Sequence, residues 1–278
     1  MVKTYNNPSL GSRLILSDEV VDLHPYQEEE LFKIIWNQSG LLSFYLDDIK
    51  FSLEKDELIC LTSLQQPEFT ELSEDYYILI FNREFYCIHE NDHEVSCEGL
   101  LFWGSSDMPV LQLNDSEKEK FESLFQVFLD EMDTNDKIQG EMLRMLLKRL
   151  IIKATRLARK QQFPEDMSGT QTELIRQFNI LVEQHYKENH QVKSYARMLH
   201  KSPKTLSNVF AAAGHKTPIE VIHNRILVEG KRQLLKTDKT TSEITYELGF
   251  QEQSHFSRFF KNKTGVSPTE YRKKKGEI

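Results

Sequence analysis

The chain has few of the features that indicate a membrane span, a disulfide framework or a secreted protein. Its three cysteines, Cys60, Cys87 and Cys97, are odd in number and lack metal-ligand spacing, so free thiols in a reducing cytoplasm are expected. The longest apolar runs, such as residues 76–81, are much shorter than the roughly 20 residues that span a bilayer. The N-terminus MVKTYNNPSL lacks the apolar stretch of a signal peptide. These absences predict a soluble cytoplasmic protein without a membrane partner.

The sequence also has little that would support catalysis. It shows no Gly-rich phosphate loop and no nucleophile beside an obvious base. The N-terminal part holds His24, His89 and His93, without the His-x-His pair that suits a metal site in a barrel. His89 and His93 have acidic neighbours, and for them a solvated loop is favoured over a surface metal site. The sequence therefore predicts no catalytic residue, no metal and no cofactor.

Charge is distributed unequally along the chain. The 278 residues carry a formal net charge of -8, from 35 Lys and Arg and 43 Asp and Glu. From Glu173 to the end there are 19 basic and 11 acidic residues, a net charge of +8, which leaves -16 on the preceding part. Such an asymmetry suggests two domains, of which the basic one binds nucleic acid. Because basic residues on a helical domain can also form an ordinary solvated surface, charge alone does not decide.

The periodicity of the acidic part changes near residue 115. Before that point, short segments rich in aromatic and β-branched residues alternate with polar turns, which predicts a sandwich or small barrel over residues 13 to about 114. Asp47-Asp48 suits the tight turn of a hairpin. The predicted strands cover residues 14–16, 31–36, 41–46, 49–53, 58–62, 76–88, 100–103 and 110–113.

Two amphipathic helices are predicted next, over residues 116–132 and 136–161. The second carries a short heptad seam that includes Leu143, Leu147, Leu150 and Leu157. These leucines are candidates for a homodimer contact, and packing against their own domain is the equal alternative. The polar residues 162–171, which contain Pro and Gly, are the predicted linker. This division gives an N-terminal domain at 1–161 and a C-terminal domain at 172–278.

The C-terminal domain contains a motif that occurs twice, about fifty residues apart. The copies are LSNVF at residues 206–210 and FSRFF at residues 256–260. Each copy indicates a helix, a tight turn and a second helix, the helix-turn-helix pattern. The predicted helices cover residues 172–186, 193–199, 203–213, 218–236, 241–248, 253–263 and 268–274. Their ends are marked by local signals at Ser202-Pro203, Thr240 with Glu243, Gly214 and Gly265.

The second helix of a helix-turn-helix unit lies in the major groove of DNA, so its exposed polar residues are the candidate contacts. Arg pairs with guanine and Asn or Gln with adenine, whereas Lys, Ser and Thr more often bind phosphates. Arg258 and Gln253 are therefore the leading candidates for base contacts. The full candidate set is Lys204, Thr205, Ser207 and Asn208 in the first unit, and Gln253, Ser254, His255, Ser257 and Arg258 in the second.

These motifs resemble the AraC/XylS family of transcriptional regulators. The likeness covers residues 173–272, and its most specific stretch is ITYELGFQEQSHFSRFFKNKTGVSPTEY at 244–271. That stretch contains the family's Gly-Phe, Ser-His-Phe-Ser-Arg and Gly-x-Ser-Pro elements. The sequence departs from the family pattern at Thr245 and, in the first unit, at Asn208, Ala211-Ala212-Ala213 and His215. We therefore expect the second unit to carry most of the affinity for DNA.

The resemblance implies an α+β fold with a cupin-like β-barrel and two trailing helices, followed by an all-α domain with two helix-turn-helix units joined by a long helix. It implies double-stranded DNA as a partner, a small-molecule effector in the barrel, and RNA polymerase as a further partner of an activator. Two alternatives stay open. The N-terminal domain either only dimerises or recruits a protein, or it is a cupin enzyme fused to the DNA-binding module. The leading prediction is a sequence-specific transcription regulator that is not an enzyme.

Overall fold

The chain is a mixed α+β protein, as predicted. The computed structural model describes residues 1–22, 30–46, 49–95, 100–102, 109–163, 165, 167–214 and 216–273. The chain forms two compact domains that divide between residues 165 and 166. The N-terminal domain combines β-sheets with helices, and the C-terminal domain is helical.

The strands of the N-terminal domain form two antiparallel sheets. The six-stranded sheet has the spatial order β1 (Val2–Asn7), β2 (Ser12–Ser17), β8 (Tyr76–Asn82), β3 (Leu31–Asn37), β6 (Glu57–Leu61) and β9 (Val110–Gln112). The three-stranded sheet has the order β5 (Ile49–Leu53), β4 (Leu42–Leu46) and β7 (Glu68–Glu71).

The core of the N-terminal domain lies between these two sheets. Ile35 and Ile78 of the larger sheet share one buried cluster with Phe44 and Leu53 of the smaller sheet. Burial of each such side chain contributes about 1.5–3 kcal/mol relative to exposure. Within the described ranges no strand of one sheet pairs with a strand of the other. The predicted barrel is therefore not closed, and the domain is built from two packed sheets.

The structure corrects the strand prediction in several places. The sequence pattern does not indicate β1 and β7, because both are short polar strands at sheet edges. The predicted strand at 76–88 ends at Asn82, whose side chain accepts from the Phe85 N–H at 3.0 Å and donates to the Gly11 carbonyl at 2.7 Å. Residues 88–95 then form helix α1 (Ile88–Val95) instead of a strand. Residues 100–102 form no regular strand either.

The predicted hairpin between the fourth and fifth strands is present. β4 and β5 pair antiparallel, with Leu46 opposite Ile49. The tip residues Asp47 and Asp48 lie outside the described residues. The register therefore supports a two-residue connection, the shortest common hairpin link.

Two long helices follow the sheets. Helix α2 (Asp115–Met132) begins with a capping box of Asn114 and Glu117, and α3 (Gln139–Gln162) packs beside it. The heptad seam of α3 is buried inside this domain. The exposed fractions are 0% for Leu143, Leu147 and Leu150, and 5% for Leu157. The structure thus gives these leucines the alternative role, packing within their own domain, and leaves them no exposed face for a homodimer contact.

The C-terminal domain contains the seven predicted helices. They are α4 (Gly169–His185), α5 (Val192–Met198), α6 (Pro203–Ala212), α7 (Pro218–Lys236), α8 (Thr241–Glu247), α9 (Gln253–Thr264) and α10 (Pro268–Lys273). Helix α4 begins earlier than predicted, because Ser168 and Gln171 form a capping box ahead of residue 172. The predicted signals at Ser202, at Thr240 with Glu243, and at Gly214 and Gly265 all mark helix ends.

Two further findings concern membranes and metals. No helix in the described part of the chain is long and apolar enough to cross a membrane. Among the same residues no group of three or more His, Cys, Asp or Glu side chains is placed to hold a metal ion. The considered pair His89 and His93 is not tested by this finding, because their side chains, like His24 and His215, lie outside the described part.

Candidate nucleic-acid interface

Two helix-turn-helix units repeat the same local geometry in the C-terminal domain. In the first, α5 is capped by Leu199 and the chain turns at His200, whose φ is +52°. In the second, α8 is capped by Leu248 and the chain turns at Gly249, whose φ is +80°. A left-handed residue therefore redirects the chain between the helices of each unit. Helices α6 and α9 occupy the position of the helix that enters the major groove, and we call them the reading helices.

The first reading helix, α6, has a buried face and an exposed face. Leu206 and Phe210 are buried, and Phe210 packs edge-on against Phe178 of α4 at a centroid distance of 5.1 Å. This packing turns the opposite side of α6 to solvent. Of the four predicted contact residues on α6, Lys204, Ser207 and Asn208 are exposed and Thr205 is half-buried.

The second reading helix, α9, is placed in the same way. Phe256 and Phe260 are fully buried, and Phe260 contacts the Tyr271 ring of α10 at 5.2 Å. The outward face again carries the predicted contact residues. Gln253, Ser254, His255 and Arg258 are exposed, and Ser257 is half-buried.

The predicted contact residues differ in whether their polar ends already have a local partner. The Thr205 and Ser202 hydroxyls are 2.8 Å apart, and the Ser207 hydroxyl donates to the Pro203 carbonyl at 3.0 Å. The Ser254 hydroxyl donates to Glu252 at 3.0 Å, and His255 lies 3.9 Å from the same carboxylate. The remaining predicted contact residues make no side-chain hydrogen bond or ion pair with the described residues. They are Lys204, Asn208, Gln253, Ser257 and Arg258. Their donors and acceptors are therefore available to a ligand.

A buried charge network holds α7, the helix between the two units, against α4. The Arg225 guanidinium is 3% exposed and donates to Glu183 at 2.8 Å, while Glu229 pairs with Arg225 and Arg232. Burial opposes the charged form of Glu229, yet its hydrogen bond with Arg232 and the nearby Arg225 charge lower its pKa to about 2. The Arg225 guanidinium also lies 4.0 Å above the Tyr186 ring. This network joins α7 to α4, and α7 also contacts the helices of both units.

Comparison with known proteins agrees with this arrangement. Residues 195–274 match a family described as a helix-turn-helix domain. The chain is 24% identical over 268 residues to the uncharacterized HTH-type transcriptional regulator YisR of Bacillus subtilis, across 91% of this chain and 89% of YisR. It is 34% identical over 95 residues to the transcriptional activator NphR of Rhodococcus sp, across 29% of this chain and 28% of NphR.

Residues 195–274 are therefore a helix-turn-helix domain of the AraC type. The predicted family and the predicted function as a DNA-binding regulator are therefore confirmed. The regulator is also similar to the solved structure of unsaturated fatty acid bound ToxT from Vibrio cholerae, at 16% identity and a TM-score of 0.41, over 98% of this chain and 94% of ToxT.

The regulator presents further cations that the sequence argument did not single out. Lys193 and Arg197 are exposed on α5, Lys201 is exposed in the turn before α6, and Lys261 and Lys263 are exposed on α9. Lysine and arginine beside a reading helix supply the phosphate contacts that position it on the duplex. The available signal was spacing: Lys193 and Arg197 are four residues apart, which places both on one face of a helix.

Proposed function

We propose that α6 and α9 bind two successive major-groove segments of one operator. The observation that carries this proposal is the set of polar side-chain ends on the outward faces of the reading helices that have no hydrogen-bond or ion-pair partner among the described residues. An exposed Arg without a carboxylate partner suits the two acceptors of guanine, and the amides of Gln and Asn suit adenine. We assign Arg258, Gln253 and Asn208 to base edges, and the remaining predicted residues to phosphates and sugars. Those remaining residues are Lys204, Thr205, Ser207, Ser254, His255 and Ser257.

The length of α7 supports this spacing. Its 19 residues correspond to a helix of roughly 28 Å, close to the about 34 Å that separates successive major-groove faces. The buried network around Arg225 attaches α7 to α4. We therefore propose that the separation of the two reading helices is fixed. A modest DNA bend would accommodate the difference.

The two units are proposed to contribute unequally. α9 presents Arg258, Lys261 and Lys263 to solvent, whereas α6 ends in the exposed small residues Ala211 and Ala212. Each phosphate neutralised by a cation releases a counterion and adds salt-dependent affinity. We therefore assign the larger share of the reading-helix affinity to α9, whereas Lys193, Arg197 and Lys201 are proposed to add phosphate contacts for the first unit.

The N-terminal domain is proposed to regulate DNA binding in the cytoplasm as a cupin-like module that binds a small-molecule effector. It forms a separate compact domain, as a regulatory module would. The alternative role is dimerisation or recruitment of a protein such as RNA polymerase. For a homodimer through α3, the exposed apolar side chains Met142 and Met145 are the proposed contacts, in place of the buried leucine seam. We propose no enzymatic activity.

Selection of binding sites from a random DNA library tests the proposal. Full-length protein and fragment 167–278 should be selected in parallel; the fragment begins at 167 so that it retains the Ser168 cap of α4. Arg258→Ala should change the selected motif at one position. Lys273→Ala, which removes an exposed cation from α10 outside the reading helices, is the matched control and should leave the motif unchanged.

Each outcome has a distinct meaning. Enrichment of the same motif by both proteins shows that binding needs no effector. Enrichment by the fragment alone shows that the N-terminal domain restrains the DNA-binding domain, as an effector-controlled module would. Specific binding should also weaken steeply as salt rises, because cations supply the phosphate contacts. Binding that does not depend on salt, or no enrichment by either protein at low salt, would contradict the interface.

A further inference from the structure

The turn of the second helix-turn-helix unit lies directly against the first half of the domain. At Gly249 a Cβ atom would stand only 1.7 Å from the carbonyl oxygen of Lys187, in the loop that joins α4 to α5. The same residue has a φ of +80°, so both backbone conformation and space require glycine there. The corresponding turn of the first unit is made by His200 at φ +52°, a residue with a side chain. The second turn therefore differs from the first in that its backbone packs directly against the α4–α5 loop.

His190 bonds across this contact. It belongs to the α4–α5 loop, and its Nε2 lies 2.8 Å from the carbonyl oxygen of Leu248, the residue that caps α8. The loop itself is tied to the first unit, because the Tyr195 hydroxyl of α5 donates to the Asn189 carbonyl at 2.8 Å. The half-buried His190 side chain thus connects the α4–α5 loop to the turn that precedes the second reading helix, in addition to the close backbone contact at Gly249.

Aromatic packing extends this connection into the reading helix. The His190 ring lies 4.6 Å from the Phe250 ring, and Phe250 contacts both Phe256 and Phe259 of α9 at 5.5 Å. Phe259 in turn contacts His223 of α7 at 5.3 Å. The inner face of α9 is therefore held from two sides, by α7 and by the α4–α5 loop. The second unit is also attached to α7, through contacts with α8, α9 and α10, and through the short segment 237–240.

We propose that His190 is a positioning residue that fixes the second reading helix relative to the first and so sets the spacing that the protein requires between its two DNA elements. The proposal rests on the proposed use of both reading helices on one operator. A reading helix that is fixed in advance loses less orientational freedom on binding, and it accepts only one phase of the duplex. His190 itself does not need to touch DNA.

The test compares operators that differ only in spacing. From the selected operator, two derivatives are made with one base pair inserted or removed between the two elements, which rotates one element relative to the other by about 35°. Affinities are measured for full-length protein and for two variants. His190→Leu introduces an apolar side chain and removes the hydrogen-bond donor. His190→Gln retains a side-chain N–H that can donate to a carbonyl.

We expect wild-type protein to bind the altered spacings at least about tenfold more weakly than the native spacing. His190→Leu should bind the native operator roughly three- to tenfold more weakly and should discriminate between spacings by only about two- to threefold. His190→Gln should recover part of the discrimination. His185→Ala, which removes a neighbouring histidine from the end of α4, is the matched control and should behave as wild type.

The possible failures are distinguishable. If wild-type protein selects no operator, the proposed function fails before His190 is tested. If His190→Leu and His190→Gln lower affinity for all spacings by the same factor, or change nothing, His190 has no positioning role and the inference is overturned. If His190→Leu does not fold, as judged by circular dichroism, the test uses His190→Gln and wild type alone. The quantity compared is the affinity for the native spacing divided by that for the altered spacings. The inference requires a smaller ratio for His190→Gln, because its donor geometry differs from that of histidine.

Discussion

Lys33 is a buried ammonium group in the core of the N-terminal domain, and its replacement should stabilise the protein at neutral pH. It lies on β3 with 1% of its surface exposed. Its Nζ donates to the carbonyl oxygens of Leu31 at 2.9 Å and Gln65 at 3.0 Å, and no carboxylate in the described part of the chain pairs with it. Burial lowers the pKa of Lys33 from 10.5 to about 7. We predict that Lys33→Met removes the cost of this buried charge.

The size of the effect follows from the pKa. Lowering the pKa from 10.5 to about 7 costs about 5 kcal/mol of folding free energy well below pH 7, because one pKa unit corresponds to about 1.4 kcal/mol. At pH 7, where the folded-state lysine is half neutral, the cost is about 4 kcal/mol. Met removes this cost but leaves two buried carbonyls without their donor, at about 1 kcal/mol each, so the net gain is about 2 kcal/mol.

The stability gain of Lys33→Met over wild type should depend on pH. The unfolded chain keeps the lysine proton up to a pH near 10.5, and the folded chain releases it near pH 7. Because the unfolded chain binds more protons in this window, wild-type stability rises with pH between these values. Lys33→Met lacks that rise. Its advantage should therefore be largest at pH 7 and below, shrink as pH rises, and reverse above about pH 9.

Urea unfolding followed by tryptophan fluorescence is the assay. The two tryptophans of the chain, Trp36 and Trp103, both lie on the N-terminal side of the linker, so their emission reports on the domain that holds Lys33. Lys50→Met, at an exposed position on β5, is the matched control and should change the free energy of unfolding little. The reasoning is refuted if Lys33→Met is less stable than wild type at pH 7 and the difference stays constant up to about pH 9.5.

Four further substitutions test the DNA-binding domain. Arg258→Ala should weaken specific binding by about 1–3 kcal/mol in a gel-shift titration, and an unchanged affinity and motif would remove Arg258 from the interface. Gly249→Ala should destabilise the domain by about 2 kcal/mol or more in a thermal melt, because the added Cβ overlaps a backbone carbonyl. Gly214→Ala, where no atom lies within 4 Å, should cost only about 1 kcal/mol, and an equal loss at both glycines would contradict the close packing. Arg225→Ala should cost about 3–5 kcal/mol, because it removes the cation between two carboxylates of α4 and α7, and an unchanged Tm would contradict this.

The C-terminal helices were predictable because their signals are local. Ser202 lies next to Pro203, and Thr240 lies three residues before Glu243, so each cap is complete within a few residues of sequence. Strands of the N-terminal domain depend on their pairing partners, which are far apart in the chain for β2 and β8 but adjacent in the chain for β1 and β2. β1 pairs with β2 although its residues VKTYNN carry no strong strand pattern. Tertiary pairing, rather than propensity, makes that segment a strand.

The heptad seam of α3 shows a second limit of sequence patterns. A stripe of leucines at helical spacing states that one face of the helix is apolar, but it does not say which surface covers that face. Here α3 packs within the N-terminal domain, beside α2 and α1 and next to β9. The pattern predicted the helix and its buried side correctly, and it could not separate a contact within the domain from one between two chains.

The candidate DNA contacts and the His190 contact were accessible to sequence reasoning to very different degrees. Exposed polar residues on α6 and α9 follow from the apolar spacing on the same helices, so their exposure could be predicted. His190 and Leu248 are 58 residues apart, and no local pattern connects them. The sequence indicated which residues are exposed on the reading helices, whereas the contact between His190 and Leu248 is visible only in the structure.

We expect base preference and tolerated spacing to be separable properties of the DNA-binding domain. Under the proposed function, outward-facing residues such as Arg258 contact base edges and therefore set the base preference at each element. His190 lies in the α4–α5 loop and Gly249 lies in the turn between α8 and α9, so under the proposal they act only through the position of α9. Substitution of an outward residue should therefore change the selected sequence at constant spacing, and substitution of His190 should change the tolerated spacing at constant sequence. A variant at His190 that altered base preference without altering spacing would contradict this separation, because it would place the α4–α5 loop at the bases themselves.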